Sequence, residues 1–228
     1  MTLPVYKVLS EDQVQTIHSC TLNILENTGI NIQHKKALKM LAESGVRVDF
    51  TSQRAYFSPD LVEAALLQIP KEFICGGREP SLDFKVAFDA PPICRCTGGA
   101  VTLIDLVSKK SKPVTLADCQ EIAHLVDGLE YTSICATQTP NDVPTPVYDI
   151  RALKTMLESG RKHIWSLVSS SENLIYQLEM MLAVSGSEKM LRERPICHGI
   201  VTVLEQFTYP HDEIERLLLY GRYNLPVK

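Results

Sequence analysis

Apolar residues recur every three to four positions in the first third of the chain, which is the spacing of amphipathic helices. The sequence SEDQ at residues 10–13 has the form of a capping box, and Gly29 ends the helix that it opens. A second helix is predicted over residues 35–44 and a third from Ser58, with VRVDF and RAYF forming a hairpin between them. The pattern predicts an α-rich layer over residues 1–90.

From Ile93 onward, apolar runs typical of buried strands alternate with helical patterns. The predicted strands are ICRCTGG, YTSICATQ, KHIWSLVSS and PICHGIVTVL, and LPVK begins another. Such alternation predicts βαβ units and a parallel sheet. Each unit takes roughly 33 residues, so a closed eight-unit barrel would need on the order of 260 residues beyond Ile93. We therefore predict an α/β fold in which residues 91–228 form the first half, about four units, of a (β/α)8 TIM barrel. A doubly wound open sheet is the alternative, although the nucleotide-binding G-x-G-x-x-G is absent.

Composition and charge exclude several functional classes. The 228 residues are 45% hydrophobic and carry a net charge of −4, which argues against a nucleic-acid surface. No window reaches the roughly 18 apolar residues of a membrane span, and the N-terminus lacks a signal-peptide pattern. We expect a cytoplasmic protein without nucleic-acid or membrane partners. The seven cysteines lie in predicted strands and helices, so we expect free thiols.

Two cysteines, Cys94 and Cys96, lie two positions apart on the first predicted strand and therefore share a face. With Cys135 and Cys197 on later strands, they could reach a zinc ion. The spacing is not C-x2-C, however, and buried cysteine is a common core residue. We expect core thiols and no directly bound metal, with a zinc-dependent barrel enzyme as an alternative.

Conventional catalytic patterns are absent from the sequence. There is no G-x-S-x-G elbow, His163 lies at the N-terminal end of its strand, and His198 is expected to be a core histidine. Asp142 and Glu205 each follow a strand, but either could equally cap a helix or face solvent. We expect the remaining histidines at the surface: His18, His34, His124 and His211. The catalytic residues are unknown from the sequence.

Small, polar and aromatic residues follow the predicted strands, at the edge where barrel enzymes have their active sites. They occupy four loops, at residues 97–99 (TGG), 138–142 (QTPND), 169–171 (SSS) and 205–209 (EQFTY). Glycines there would let a flat ligand approach the backbone. Each loop alone is weak support for a site, since such segments are mostly turns and helix starts.

Four segments of the chain, ILENTGINIQHKKALKMLAESGVRVD, CTGGAVTLIDLVSKKSKPVTLADCQEIAHLVDGL, TPNDVPTPVYDIRALKTMLESGRKHI and AVSGSEKMLRERPI, resemble the trimethylamine methyltransferase (MttB-type) family. That family includes non-pyrrolysine glycine betaine and related quaternary-amine methyltransferases. The resemblance implies a barrel enzyme that passes a methyl group from a methylated tertiary or quaternary amine to the cobalt of a separate corrinoid protein. It also implies a family chain about twice as long as this one.

The resemblance further implies which residues meet the substrate. A corrinoid would supply the nucleophile, so the protein would mainly orient two partners and exclude water. Aromatic faces bind quaternary ammonium groups with roughly 0.5–2 kcal/mol per ring, and Phe207 and Tyr209 are candidate rings. The end of the barrel that carries these loops would be lined by further residues, in contact with the amine or the corrinoid protein: Gly98, Gly99, Gln138, Asp142, Ser169, Ser170 and Gln206.

A non-catalytic, truncated paralogue that binds a corrinoid protein or a quaternary amine is the alternative function. In either case half a barrel would leave an unpaired parallel edge and an apolar sheet face. We therefore expect the chain to form homo-oligomers, to aggregate or to require the other half.

Overall fold

The computed structural model of the protein describes residues 7–203 and 205–228. In chain order its helices and strands are α1 (Glu11–Asn27), β1 (Ile30–Ile32), α2 (Lys35–Glu43), β2 (Arg47–Asp49), β3 (Arg54–Tyr56), α3 (Pro59–Gln68), β4 (Glu72–Cys75), β5 (Phe84–Ala87), β6 (Cys94–Arg95), β7 (Thr102–Ile104), β8 (Ser111–Pro113), α4 (Leu116–Gly128), β9 (Thr132–Ala136), α5 (Tyr148–Ser159), β10 (His163–Trp165), α6 (Ser171–Ser185), α7 (Glu188–Glu193), β11 (Cys197–His198), β12 (Thr208–Tyr209) and α8 (His211–Arg222).

The chain divides into two compact units that are each discontinuous in sequence. The first unit comprises Met1–Ile69 and Val203–Ile214, and the second comprises Pro70–Thr202 and Glu215–Lys228. Contacts between residues distant in sequence therefore define both units. The segment Val203–Ile214 belongs to the first unit although it lies late in the sequence, and a change in composition along the chain does not show this.

The first unit contains a four-stranded sheet in the order β12-β1-β3-β2. The predicted hairpin is confirmed as β2 and β3, which pair antiparallel. The predicted capping box at the start of α1 is also confirmed, because the Gln13 amide N–H donates to Ser10 Oγ over 3.2 Å and the Ser10 N–H donates to Gln13 Oε1 over 2.9 Å. Two of the four backbone N–H groups that a helix start leaves without intrahelical partners are thus accounted for at this end.

The prediction that His34 lies at the surface is wrong. His34 is buried and occupies the cap position of α2, where its Nδ1 accepts a hydrogen bond from the Ala37 N–H over 3.0 Å. Its ring stacks on that of His211, with the centroids 4.6 Å apart. Histidine is not among the residues usually expected at a helix N-cap, so the local pattern did not indicate this role.

The second unit is built on four parallel strands in the order β11-β10-β9-β6. The helices α4, α5 and α6 cover one face of this sheet, where Val126, Leu153 and Leu178 join Cys135 and Ile164 in one buried cluster. The predicted alternation of strand and helix is confirmed. An antiparallel hairpin, β7–β8, precedes α4. The fold class is α/β, as predicted.

The parallel sheet is open over the described residues, and barrel closure is not seen. Strand β6 pairs only with β9, and β11 pairs with β10. The predicted strand start at the chain end is confirmed, because Leu225 is buried and Val227 forms a parallel bridge with Gly199. Among the described helices, none combines the length and apolar character that crossing a membrane requires.

Candidate functional site

One face of the parallel sheet carries charged and aromatic side chains. Trp165 is in register with His198 on one neighbouring strand and with Ala136 on the other, and Arg95 is in register with Ile134. Residues in register on adjacent strands project to the same side of a sheet. His163 lies two positions before Trp165 and shares its side. We call the surface formed by Arg95, His163, Trp165 and His198 the aromatic face. The opposite face, with Cys135, Ile164 and Cys197, packs on the helices.

A histidine pair forms the inner end of the aromatic face. His163 Nδ1 lies 3.0 Å from the Gly76 carbonyl oxygen, and His163 Nε2 lies 2.9 Å from His198 Nδ1. A carbonyl oxygen can only accept, so in the neutral pair His163 donates from Nδ1 and accepts at Nε2 from the His198 Nδ1–H. This chain of hydrogen bonds fixes one tautomer for each ring.

Both histidines are held neutral by their surroundings. Burial lowers the pKa of His163 to about 4. Burial is also the main cause that lowers the pKa of His198 to about 3, and repulsion from His163, Arg95 and Lys228 adds to it. Neither ring carries a charge at neutral pH, so the fixed positive charge near this face comes from Arg95 and Lys228.

Trp165 is the centre of the aromatic face. Its ring is 8% exposed and stacks with His198 at a centroid distance of 6.4 Å. The Arg95 guanidinium carbon lies 4.2 Å from the ring centroid, and the Lys228 ammonium nitrogen lies 5.3 Å from it. The indole Nε1 is buried without a hydrogen-bond partner among the described residues. A buried donor of this kind is uncommon and marks the position as one to explain.

Gly98 lies against Trp165. A Cβ at this position would be 2.8 Å from Ala136 Cβ and 3.0 Å from Trp165 Cζ3, distances that real side chains do not tolerate. The absence of a side chain therefore lets the loop pack onto the tryptophan. A role of Gly98 in admitting a flat ligand stays a prediction. Gly99 has a φ of +75°, which glycine adopts without strain, and it donates its N–H to the Thr137 carbonyl.

Gln138 and Asp142 hold their loops together. The buried Gln138 amide donates to the carbonyls of Thr97 and Ala136 over 2.7 and 2.9 Å, and its oxygen accepts from the Ala100 N–H over 3.1 Å. Asp142 accepts from the N–H of Leu116 at the start of α4. Both side chains thus form hydrogen bonds with backbone groups at the carboxyl edge of the sheet.

Ser169 and Ser170 are also engaged in local structure. Ser170 caps α6, since its side chain accepts from the Asn173 N–H over 3.1 Å. Ser169 donates from both its N–H and its hydroxyl to the carboxylate of Asp149, which also accepts from Asn173 and Gln177. Asp149 is fully buried and organises this loop, a role that the sequence did not indicate.

The three residues predicted in the fourth loop, Gln206, Phe207 and Tyr209, belong to the first unit. The interpretation of EQFTYP as a plain loop is wrong, because Thr208 and Tyr209 form β12 and pair in parallel with β1 at Asn31 and Ile32. Phe207 is half-exposed, with a φ of +57°. A role of these three residues in substrate binding stays a prediction. The structure brings together Gly98, Gln138 and Trp165 in the second unit.

The cysteines of the parallel sheet behave as core thiols. Cys135 and Cys197 are buried; the hydrogen bond with Cys96 and burial raise the pKa of Cys135, and burial raises the pKa of Cys197. Cys96 is half-buried, and its pKa falls to about 6 because it accepts hydrogen bonds from the Cys135 thiol and the Ala136 N–H. Cys94 is exposed. Over residues 7–203 and 205–228, no cysteine joins a group of three potential metal ligands.

Sequence reasoning missed Arg95, Trp165 and Lys228 as possible site residues. One signal was present: HIW is a strand pattern in which the chain's single tryptophan shares a face with His163. The approach of Arg95 and Lys228 to that ring depends on the order of strands in the sheet. No local pattern encodes it.

Comparison with known proteins gives one family. The family described as trimethylamine methyltransferase (MTTB) matches residues 1–228. A trimethylamine methyltransferase MttB of Desulfitobacterium hafniense is 29% identical over 188 residues, which cover 82% of this chain and 38% of the relative. A glycine betaine methyltransferase of Desulfitobacterium hafniense strain Y51 is 26% identical over 221 residues, which cover 96% of this chain and 45% of the relative.

A more distant relative is the trimethylamine methyltransferase MttB of Methanosarcina barkeri strain Fusaro, with 21% identity over 231 residues, 96% of this chain and 46% of the relative. The chain spans less than half the length of the curated relatives it matches. The relatives' names cover both an amine without a carboxylate and a betaine. Similarity alone therefore does not separate the two substrate classes.

Proposed function

Because the chain belongs to the trimethylamine methyltransferase (MTTB) family, we propose that it serves methyl transfer from a methylated tertiary or quaternary amine to the cobalt of a separate corrinoid protein. The relatives are methyltransferases, which supports the transferase class. The proposal concerns the whole protein, since the chain spans less than half of its relatives. It includes a corrinoid-protein partner and no metal bound directly by this chain.

We infer that the second unit is the first half of a (β/α)8 barrel. Its four strands are parallel and follow one another in chain order, and helices cover one face, as in TIM barrels. The bridge between Gly199 and Val227 adds the start of a further parallel strand beside β11. In a barrel the aromatic face would point inward, toward the space where a substrate lies.

Trp165 is the single observation that carries the proposal. A quaternary ammonium group has no proton to donate, so a protein binds it mainly through aromatic faces. Tryptophan is the best ring for this purpose, and Trp165 is immobilised by Gly98 on one edge and by His198 through stacking. A fixed ring loses little conformational entropy when a ligand binds.

The chain's own contribution to catalysis would be positioning. A bound corrinoid would supply the nucleophile, and a substrate that is cationic, as a quaternary amine or a protonated tertiary amine, would leave as the neutral demethylated amine, so no acid–base triad is required of this chain. The aromatic face would bind the amine, orient its methyl group and exclude water. The low pKa values of His163 and His198 keep both rings neutral, so the positive charges that an amine would meet at this face are those of Arg95 and Lys228.

The test is a methyl-transfer assay with the full-length protein, a reduced corrinoid protein and a panel of methylated amines. We expect formation of methylcobalt, measured by absorbance, with at least one amine. Trp165→Leu should lower kcat/KM by roughly 2- to 30-fold, the equivalent of 0.5–2 kcal/mol of cation–π attraction. Tyr131→Leu, which removes an exposed ring of the same unit, is the control and should leave kcat/KM unchanged. Absence of methylcobalt with every amine would refute the proposal.

A further inference from the structure

Arg95 and Lys228 are the cationic side chains that meet at Trp165. Over the described residues, neither forms an ion pair with a carboxylate. Arg95 has one hydrogen bond, from its guanidinium to the Cys96 carbonyl over 3.1 Å. Their positive charges therefore lack a countercharge within the described part of the chain.

Several other basic residues of the second unit do form ion pairs with carboxylates. Arg194 pairs with Asp83 at 2.5 Å, and Arg161 pairs with Asp127 at 3.1 Å. Lys112 likewise pairs with Asp118 at 2.7 Å. These three cations form ion pairs within the unit, whereas the two at Trp165 do not. Over the described residues, other cations of the unit such as Lys71, Arg151 and Lys162 also form no ion pair, so Arg95 and Lys228 are distinguished by lying together at one buried ring.

The backbone fixes where Lys228 lies. Its N–H donates to the Gly199 carbonyl over 3.1 Å, and its own carbonyl accepts from the Val201 N–H over 3.1 Å. Gly199 follows β11, the strand that carries His198. The backbone of Lys228 is thus positioned by strand pairing with the segment after β11.

We propose that Arg95 and Lys228 form a carboxylate-binding pair, and that the substrate is a betaine-type zwitterion, a methylated amine that carries a carboxylate. The substrate class rests on the proposed function, whereas binding of the carboxylate does not. Guanidinium groups match carboxylates in a planar, two-point arrangement, and the ammonium group adds a second positive charge.

The same two cations disfavour a methylated amine that lacks a carboxylate. Such an amine would bring a third positive charge to Arg95 and Lys228, and like charges at short distance repel. A zwitterion brings its own negative charge for the cations, and its methylated ammonium lies only a few bonds away for the Trp165 ring. A carboxylate oxygen is also the kind of acceptor that the buried Trp165 Nε1–H lacks.

Fluorescence of the 228-residue chain tests this directly, because Trp165 is its single tryptophan. The chain is titrated with glycine betaine, with 3,3-dimethylbutanoate, which keeps the carboxylate and replaces the ammonium by carbon, and with choline, which keeps the ammonium and has no carboxylate. We expect both carboxylates to change the emission of Trp165 in a saturable way. Choline should bind at least about tenfold more weakly.

Substitutions assign the effect to the two cations. Arg95→Gln should weaken carboxylate binding about tenfold or more, Arg95→Lys should restore part of it, and Lys228→Gln should weaken it less. The matched control is Lys154→Gln, an exposed lysine paired with Glu158 on α5, which should leave the dissociation constant unchanged. Circular dichroism of each variant checks that the fold is intact.

Three results would overturn the carboxylate pair: no emission change with either carboxylate, equal binding of choline, or a Kd unaffected by Arg95→Gln. An equal response to sulfate at matched ionic strength would show general anion binding and would overturn the substrate class. Carboxylate binding in a full-length protein that transfers no methyl group would refute the proposed function and leave the pair standing. Methyl transfer from trimethylamine by a protein that binds no carboxylate would support the proposed function and overturn the carboxylate-binding pair.

Discussion

His163 and His198 show how a few contacts fix the protonation of a site. The Gly76 carbonyl orients the first ring, and the first ring orients the second. The sequence predicted a strand that begins near His163, whose side chain is completely buried in the structure. It could not show that the two rings are hydrogen-bonded, because they lie on separate strands whose pairing is a property of the sheet.

The histidine pair predicts an acid-sensitive fold. In the unfolded chain each ring binds a proton with a pKa near 6.5, whereas in the folded chain the pKa values are about 4 and about 3. The unfolded state therefore binds more protons between these values, so the free energy of unfolding falls as the pH drops below about 6.5. Each histidine contributes up to about 1.4 kcal/mol per pH unit in that window.

Urea unfolding of the wild type and of His198→Gln at pH 7 and pH 5 measures this effect. The wild type should lose more stability than the variant over the two pH units. Equal losses in both proteins would show that His198 does not have the low pKa assigned to it.

At the scale of elements, Asp149 joins α5 to the start of α6. Its carboxylate accepts from Ser169, Asn173 and Gln177 and has no exposure to solvent. A buried carboxylate with several donors holds the loop after β10 in one conformation. That loop lies at the carboxyl edge of the sheet, next to the aromatic face.

Asp149→Ala should therefore destabilise the protein by about 2–4 kcal/mol, since it leaves several buried donors without an acceptor. Glu158→Ala on the same helix removes an exposed carboxylate and should change stability by less than about 0.5 kcal/mol. Urea denaturation of both variants provides the comparison. Similar small changes in the two would contradict the organising role of Asp149.

Helix starts were the elements that the sequence predicted best. The capping box that opens α1 was predicted because it is a local signal, in which the side chain and the N–H that it satisfies lie three residues apart. Strand β12 was missed for the opposite reason. It is two residues long, and its partner β1 lies near the other end of the chain. Hydrophobic alternation cannot be read over two residues.

In the whole molecule, strand–helix alternation predicted the α/β class and the parallel sheet, since the hydrophobic period and the length of each segment can be read from the sequence. The functional surface was predicted less well. Of the residues expected in the strand-end loops, Gln138, Asp142 and Ser170 satisfy local backbone groups. Trp165, Arg95 and Lys228 meet only after the sheet is assembled.

The open sheet predicts self-association of the 228-residue chain. Strand β6 pairs along one side, residues 226–228 begin a further strand beside β11, and Phe73, Ile74, Pro226 and Val227 line part of a groove of about 630 Å³. Unpaired parallel edges and apolar grooves favour association with another copy. Size-exclusion chromatography with light scattering over a range of concentrations should show dimers or larger species. A monomer at every concentration would contradict this expectation.

The ratio of kcat/KM for glycine betaine to that for trimethylamine tests methyl transfer and the carboxylate-binding pair together, when methylcobalt formation is measured with the full-length protein and its Arg95→Gln variant. We expect the wild type to prefer betaine, and we expect Arg95→Gln to reduce this preference about tenfold or more because it loses more activity with betaine than with trimethylamine. Equal loss for both substrates, an unchanged ratio, or no methylcobalt from either amine would contradict this expectation.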